Sequence, residues 1–126
     1  MKRIMLKISG EVLGGDGVGV DGAELLKLCE EIKAIVKSKV QVAIVVGGGN
    51  FWRYRDNKKI QISRSDSDTI GMMATIMNAR VLQDALRSIG VKANALATNV
   101  SFYFAEPFVA SRGIGLLERG EVVICG

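Results

Sequence analysis

Three short stretches of this sequence carry residue types that hold phosphate groups. In the first, Lys7 ends an apolar run and Ile8, Ser9, Gly10 and Glu11 follow it. A lysine at that point is a compact cation able to bridge phosphoryl oxygens, and Ser9 and Gly10 add a hydroxyl and an uncluttered amide as donors. A solvated strand lysine has the same signature. In the second, Gly47, Gly48, Gly49 and Asn50 leave the most apolar run in the chain. Three residues without Cβ let backbone N–H groups close on a phosphate in a nest, and they suit a tight turn equally well. Asn50 fits either, since asparagine tolerates left-handed backbone. The run has neither the Gly-Lys-Ser/Thr ending of a Walker loop nor the G-x-G-x-x-G spacing of dinucleotide sites. In the third, Arg53, Arg55, Lys58, Lys59 and Arg64 are interleaved with Trp52 and Tyr54. Stacking and phosphate contact on single-stranded nucleic acid would use that pattern; so would a solvated loop with one or two functional arginines. Asp68, just beyond, stands at the expected start of a helix, where a carboxylate caps free N–H groups.

What is missing narrows the chemistry. The 126 residues include no histidine and only two cysteines, Cys29 and Cys125, in no C-x-x-C spacing. A structural zinc site, a His-activated nucleophile and a disulfide framework all lack their residues. A net charge of +4 is too small to imply nucleic acid by itself. Lys7 and Glu11 interrupt the apolar stretch that a signal peptide would need, and no later run approaches membrane-spanning length. The expectation is one cytoplasmic domain spanning residues 1–126, with no membrane partner.

These residues need a scaffold, and the hydrophobic pattern supplies one. Residues 3–8 alternate apolar and polar, as a strand does. Asp21 with Glu24 three residues on marks a helix start, and apolar residues at helical spacing carry that helix over residues 22–37. Residues 40–46 are β-branched and almost wholly apolar, a strand buried on both faces. Residues 50–67 read as a long loop, and a second helix is expected over residues 68–89 with Met73 and Met77 among its inward residues and Gly90 as its stop. Strands at 91–97 and 121–124 bracket a helix at 107–119. Strands alternating with helices define an α/β fold: an open, mainly parallel sheet with helices on both faces, in three layers. Ligands bind beyond the carboxyl ends of such strands, where both glycine clusters lie.

Taken together, several segments resemble bacterial uridylate (UMP) kinases, a branch of the amino-acid-kinase superfamily. They are residues 7–11, the glycine-rich stretch 14–19 with Val20 and Asp21, residues 45–50, residues 68–75, and Asn78 with residues 83–86. The first and third would indicate only the superfamily; residues 68–75 with Glu106 and Pro107 narrow it. The resemblance implies phosphoryl transfer from ATP to UMP, giving UDP for pyrimidine nucleotide supply. It implies that Lys7, Ile8, Ser9 and Gly10 hold the transferring phosphates, Lys7 as the catalytic cation, and that Gly49 and Arg53 line the donor phosphates. Gly48 would contact UMP and Asp68 its ribose hydroxyls. Gly14, Gly15, Asp16, Gly17, Val18 and Gly19 match the region responding to GTP as activator. Mg²⁺ arriving with ATP, inhibition by UTP and a cytoplasmic homohexamer complete what it implies.

Against the family pattern, Tyr54 and Ser67 replace glycines and residues 54–65 are unusually basic. The family also continues past residues 122–125 into a further loop and a nucleotide-base part, so the expectation is an N-terminal half that is inactive alone. An amino-acid or carbamate kinase within the superfamily, or a non-catalytic nucleotide-binding module, are the alternative readings.

Overall fold

The computed structural model describes residues 1–98, 101 and 103–126. Strand β1 (Arg3–Ile8) leads through a single helical turn, α1 (Glu11–Gly14), to helix α2 (Gly22–Lys37). Strand β2 (Gln41–Val46) is followed by a 3₁₀ turn at Tyr54–Asp56 and the long helix α3 (Arg64–Ser88). Strand β3 (Ala93–Ala97), the two-residue β4 (Glu106–Pro107), helix α4 (Ala110–Glu118) and β5 (Val122–Cys125) complete the order. All pairings are parallel, and the sheet runs β1-β2-β5-β3-β4.

The period-2 strands put Val42, Ile44, Val46, Val122, Ile124, Ala93, Ala95 and Ala97 on one face, against α2 and α3. Ala43, Leu96 and Val123 point the other way and pack with Leu116 and Leu117 of α4. Helices therefore cover both faces, as the α/β pattern implies. The helix-start signal at Asp21 is realised: its carboxylate accepts from Ala23 N at 2.9 Å and from Glu24 N at 3.0 Å. Gly90 takes the left-handed conformation (φ +83°) that ends α3.

Several sequence expectations need correction. Helix α3 begins at Arg64, four residues before Asp68, because Ser63 is its cap: Ser63 Oγ accepts from Asp66 N at 3.0 Å and donates to the Asp66 carboxylate at 2.8 Å. Asp68 is therefore no cap. Met73 and Met77 do not face the core; they are 62% and 51% exposed. The inward face of α3 is instead Ser67, Ala74, Asn78, Ala79, Leu82, Gln83 and Leu86. Small and amide side chains occupy it because the helix passes close to backbone: a Cβ on Gly48 would stand 2.7 Å from the Ala74 Cβ and 2.9 Å from Gly71 O. Of β2, Val45 is 37% exposed while its other residues are buried on both faces. Helix α4 starts at Ala110 rather than at Pro107, which pairs in β4 opposite Ala97.

Candidate phosphate-binding site

The parallel register sets Ile8 opposite Val46, so the turns leaving β1 and β2 emerge side by side. Gly47 N donates to Ile8 O at 2.9 Å and binds the two together. Gly10 lies in the crevice between them. A Cβ there would be 2.6 Å from Asn50 Oδ1, 2.7 Å from Gly49 N and 2.9 Å from Gly47 O, all far inside contact distance. Glycine at position 10 is thus demanded by the approach of the two loops themselves. Glu11 N donates to Ser9 Oγ at 3.3 Å, which holds the hydroxyl over the start of α1.

Asn50 acts through its side chain and not through a left-handed backbone, since Lys39 alone among the described non-glycine residues has positive φ. Its amide Nδ2 donates to Gly19 O at 2.9 Å, and its backbone carbonyl accepts from Gly19 N at 2.8 Å. Its side chain also exchanges hydrogen bonds with the fully buried Asn78, whose Nδ2 reaches Gly47 O at 2.7 Å. Two asparagines thereby join three segments: the loop 14–19, the loop 47–50 and α3. Sequence reading of individual residues missed this role for both. The available signal was an apolar helix face interrupted at Asn78.

Of residues 14–19, Gly14 is buried and Gly19 is tied to Asn50, whereas Gly15, Asp16, Gly17 and Val18 form an exposed tip. Arg53 Nε donates to Gly49 O at 3.0 Å while its Nη1 lies 3.2 Å from Glu11 Oε1. This guanidinium clamps the second loop to the first. Lys7 stands opposite Val45 on β1, exposed, and its side chain has no hydrogen bond or ion pair among the described residues. Ser9, Gly10, Gly14, Gly19, residues 47–50 and Arg53 are thus brought into one place, with Lys7 at its rim.

Asp68 is set apart on α3, one turn before the Gly71 carbonyl that approaches Gly48. Its Oδ1 accepts from Arg64 Nε at 3.0 Å, and its neighbour Ser67 accepts from the Trp52 indole at 2.8 Å. The two residues that depart from the resemblance both have partners: Ser67 holds Trp52, and the Tyr54 ring lies 4.9 Å from the Arg64 guanidinium carbon. An open cleft of about 510 Å³ beside Arg53 is lined by Glu11, Arg53, Tyr54, Arg55, Lys58 and Arg64.

Neither cysteine is an activated nucleophile. Burial, with a smaller contribution from Glu30, pushes the Cys29 thiol up to about 11, and burial also raises Cys125. No group of three or more His, Cys, Asp or Glu side chains among the described residues is disposed to hold a metal ion. No helix among the described residues is long and apolar enough to cross a membrane.

A parallel sheet whose first two strands end in adjoining glycine loops, with a lysine at the rim, has the open strand-end arrangement at which α/β proteins bind ligands. The chain belongs to the amino acid kinase family, whose sequence profile matches residues 2–126. Among particular proteins it is similar to the uridylate kinase of Limosilactobacillus reuteri, 44% identical over 124 residues, which are 98% of this chain and 52% of that protein. The uridylate kinase of Bifidobacterium adolescentis is 43% identical over 125 residues, 99% of this chain and 50% of that protein. Of solved structures, the UMP kinase of Bacillus anthracis superposes with a TM-score of 0.94 at 31% identity, over 99% of this chain and 52% of that one. The UMP kinase of Ureaplasma parvum superposes with a TM-score of 0.91 at 34% identity, over 98% and 53%. The chain spans about half the length of the curated relatives it matches.

Proposed function

We propose that this chain forms the phosphate-cradling part of an ATP:UMP phosphotransferase. The observation that carries the reading is the junction of the two glycine loops, where Gly10 packs against Gly49 and Arg53 ties Gly49 to Glu11 beside an exposed Lys7. In this reading Lys7, Ile8, Ser9 and Gly10 hold the transferring phosphates, Gly49 and Arg53 line the donor chain, Gly48 contacts UMP and Asp68 reads its ribose. Phosphoryl transfer suits such a site because its catalysis is mostly positioning and charge neutralisation, which need no histidine. Mg²⁺ entering with ATP would add charge neutralisation on the phosphate oxygens. The uridylate kinases and UMP kinases among its relatives support UMP as acceptor.

Regulation and assembly belong to the same proposal. The exposed tip of residues 14–19 is the place where GTP would act as activator, with UTP as inhibitor. The exposed Met72, Met73 and Met77 on α3 support association of copies; a homohexamer, the cytoplasm and pyrimidine nucleotide biosynthesis are carried over from the resemblance. Trp52 is the only tryptophan and lies one hydrogen bond from the neighbour of Asp68, so its emission reports on the acceptor side. Titrating UMP and ATP against that emission, and assaying UDP formation in a full-length context, tests the reading. Saturable UMP binding supports it; glutamate, aspartate or carbamate serving as acceptor in place of UMP would overturn it.

A further inference from the structure

The loop leaving β2 has a separate anchor on each of its glycine carbonyls. Asn78 Nδ2 donates to Gly47 O at 2.7 Å. Phe51 N and Trp52 N donate to Gly48 O at 3.0 Å and 3.2 Å. Arg53 Nε donates to Gly49 O at 3.0 Å. Consecutive glycines lack the Cβ that restricts rotation of a peptide unit, so these bonds set the planes. In a trans peptide the C=O of one residue and the N–H of the next point in opposite directions. Asn78 therefore aims Gly48 N away from α3, while the Phe51 and Trp52 amides aim Gly49 N. Among the described residues neither Gly48 N nor Gly49 N donates to an acceptor, so both are available to a ligand.

Asn78 differs from the other anchors. Phe51, Trp52 and Arg53 belong to the continuation of the loop itself, whereas Asn78 comes from α3, 31 positions away from Gly47, and is fully buried. It reaches Gly47 because α3 lies against Gly48: Ala74, one turn earlier on the same helix face, has its Cβ 2.7 Å from where a Gly48 Cβ would stand. Both hydrogens of its Nδ2 are used, on Gly47 O and Asn50 Oδ1, and its Oδ1 accepts from Asn50 Nδ2. The plane of the Asn78 amide is fixed by those bonds.

We infer that Asn78 is a positioning residue for the acceptor: by holding the Gly47 carbonyl it aims the Gly48 N–H at UMP. The role rests on the functional reading above, in which Gly48 contacts UMP and Gly49 lines the donor phosphates. Since the Gly48 carbonyl has its own anchors, losing Asn78 acts on the acceptor and spares the donor.

Steady-state kinetics of UDP formation in a full-length context test this. Asn78→Ala should raise KM for UMP about tenfold or more and leave KM for ATP within about twofold, as loss of one aimed hydrogen bond to a charged group implies. Leu82→Ala truncates a fully buried side chain one turn further along α3 and destabilises without touching the loop, so both KM values should stay within about twofold. An unchanged KM for UMP in Asn78→Ala, an equal rise for ATP, or the same shift in Leu82→Ala would overturn the role. Absence of UDP formation by the unmodified protein would instead overturn the kinase reading on which the role rests. Where Asn78→Ala does not fold, hydrogen exchange of the Asn78 side-chain amide in the unmodified protein decides. Linkage requires UMP to stabilise the bond from which its binding benefits, so UMP should slow that exchange more than ATP does. Exchange slowed no more by UMP than by ATP would overturn the role.

Discussion

The side-chain amides of Asn50 and Asn78 are paired head to tail: Asn78 Nδ2 donates to Asn50 Oδ1 at 2.7 Å, and Asn50 Nδ2 donates to Asn78 Oδ1 at 3.1 Å. Both residues are buried, at 5% and 0% exposure, so the pair replaces water that neither could otherwise reach. Asn78→Ala should cost about 2–3 kcal/mol, because it leaves the Asn50 amide and the Gly47 carbonyl short of a partner. The double variant with Asn50→Ala should lose less than the sum of the singles, a coupling of about 1 kcal/mol or more by denaturant unfolding. Strict additivity would mean that the pair does not couple the loops to α3.

Gly10→Ala tests the close approach of the loops. Its Cβ would press on Gly49 N and Gly47 O, which are backbone and have little room to yield. Overpacking of this kind costs about 1–3 kcal/mol. Gly71→Ala, where an added Cβ meets nothing within 4 Å, should instead stabilise α3 by about 0.5–1 kcal/mol. Melting temperatures of the two variants should move in opposite directions.

If Lys7 neutralises charge on the transferring phosphates, Lys7→Ala in a full-length context should lower kcat for UDP formation by about 10²-fold or more. Its exposure predicts no change in stability. A kcat close to that of the unmodified protein would return Lys7 to a solvated strand position.

In a full-length context, Asp68→Asn should raise KM for UMP much more than KM for ATP. Since Ser63 and not Asp68 caps α3, the stability cost should be confined to the exposed pair with Arg64, about 0.3–0.5 kcal/mol. Equal effects on both substrates would remove Asp68 from the acceptor pocket.

Glu121 gives stability a dependence on acid. Burial raises its carboxyl, but hydrogen bonds from Asn94 and Arg119 and the charges of Arg119 and Lys92 outweigh that and hold it below its ordinary value of 4.5. A carboxyl depressed on folding stabilises above its unfolded value, and the contribution is lost as pH falls through the folded one. Stability should therefore decline below pH 4.5, and Glu121→Gln should flatten that decline. A variant with the same acid-side slope would show that other carboxylates carry it.

Much of the fold was legible because its signals are local. Alternation over β1, the β-branched run of β2 and the Asp21 cap each depend on residues a few positions apart. Parallel strands then place Lys7 and the three glycines at one end of the sheet without further information. The start of α3 was hidden by a polar run of serines and aspartates that resembles loop, although Ser63 and Asp66 stand at capping distance in the sequence. Met73 and Met77 are apolar without being buried, because the space against Gly48 admits only small side chains. The Asn50–Asn78 pair joins positions 28 residues apart: the break in the apolar helix face at Asn78 marks one partner, and no local pattern points to the other. Strand order is equally non-local: nothing within Val122–Cys125 says that this segment inserts between β2 and β3.

That insertion governs how the sheet can be assembled during synthesis. The centre of the sheet is the last part of this sequence to be made, since β5 bonds to β2 through Ala43, Ile44 and Val45 and to β3 through residues 93–96. Until it leaves the ribosome, β2 and β3 each present an unpaired apolar edge, and only the β1–β2 and β3–β4 pairs can form. Joining them requires contacts spanning about eighty residues, so the committed step of folding is late and long-range. The edge of β2 is thus exposed to mispairing from its own synthesis until Val122–Cys125 has been made, and a chaperone that shields strand edges would act on that interval.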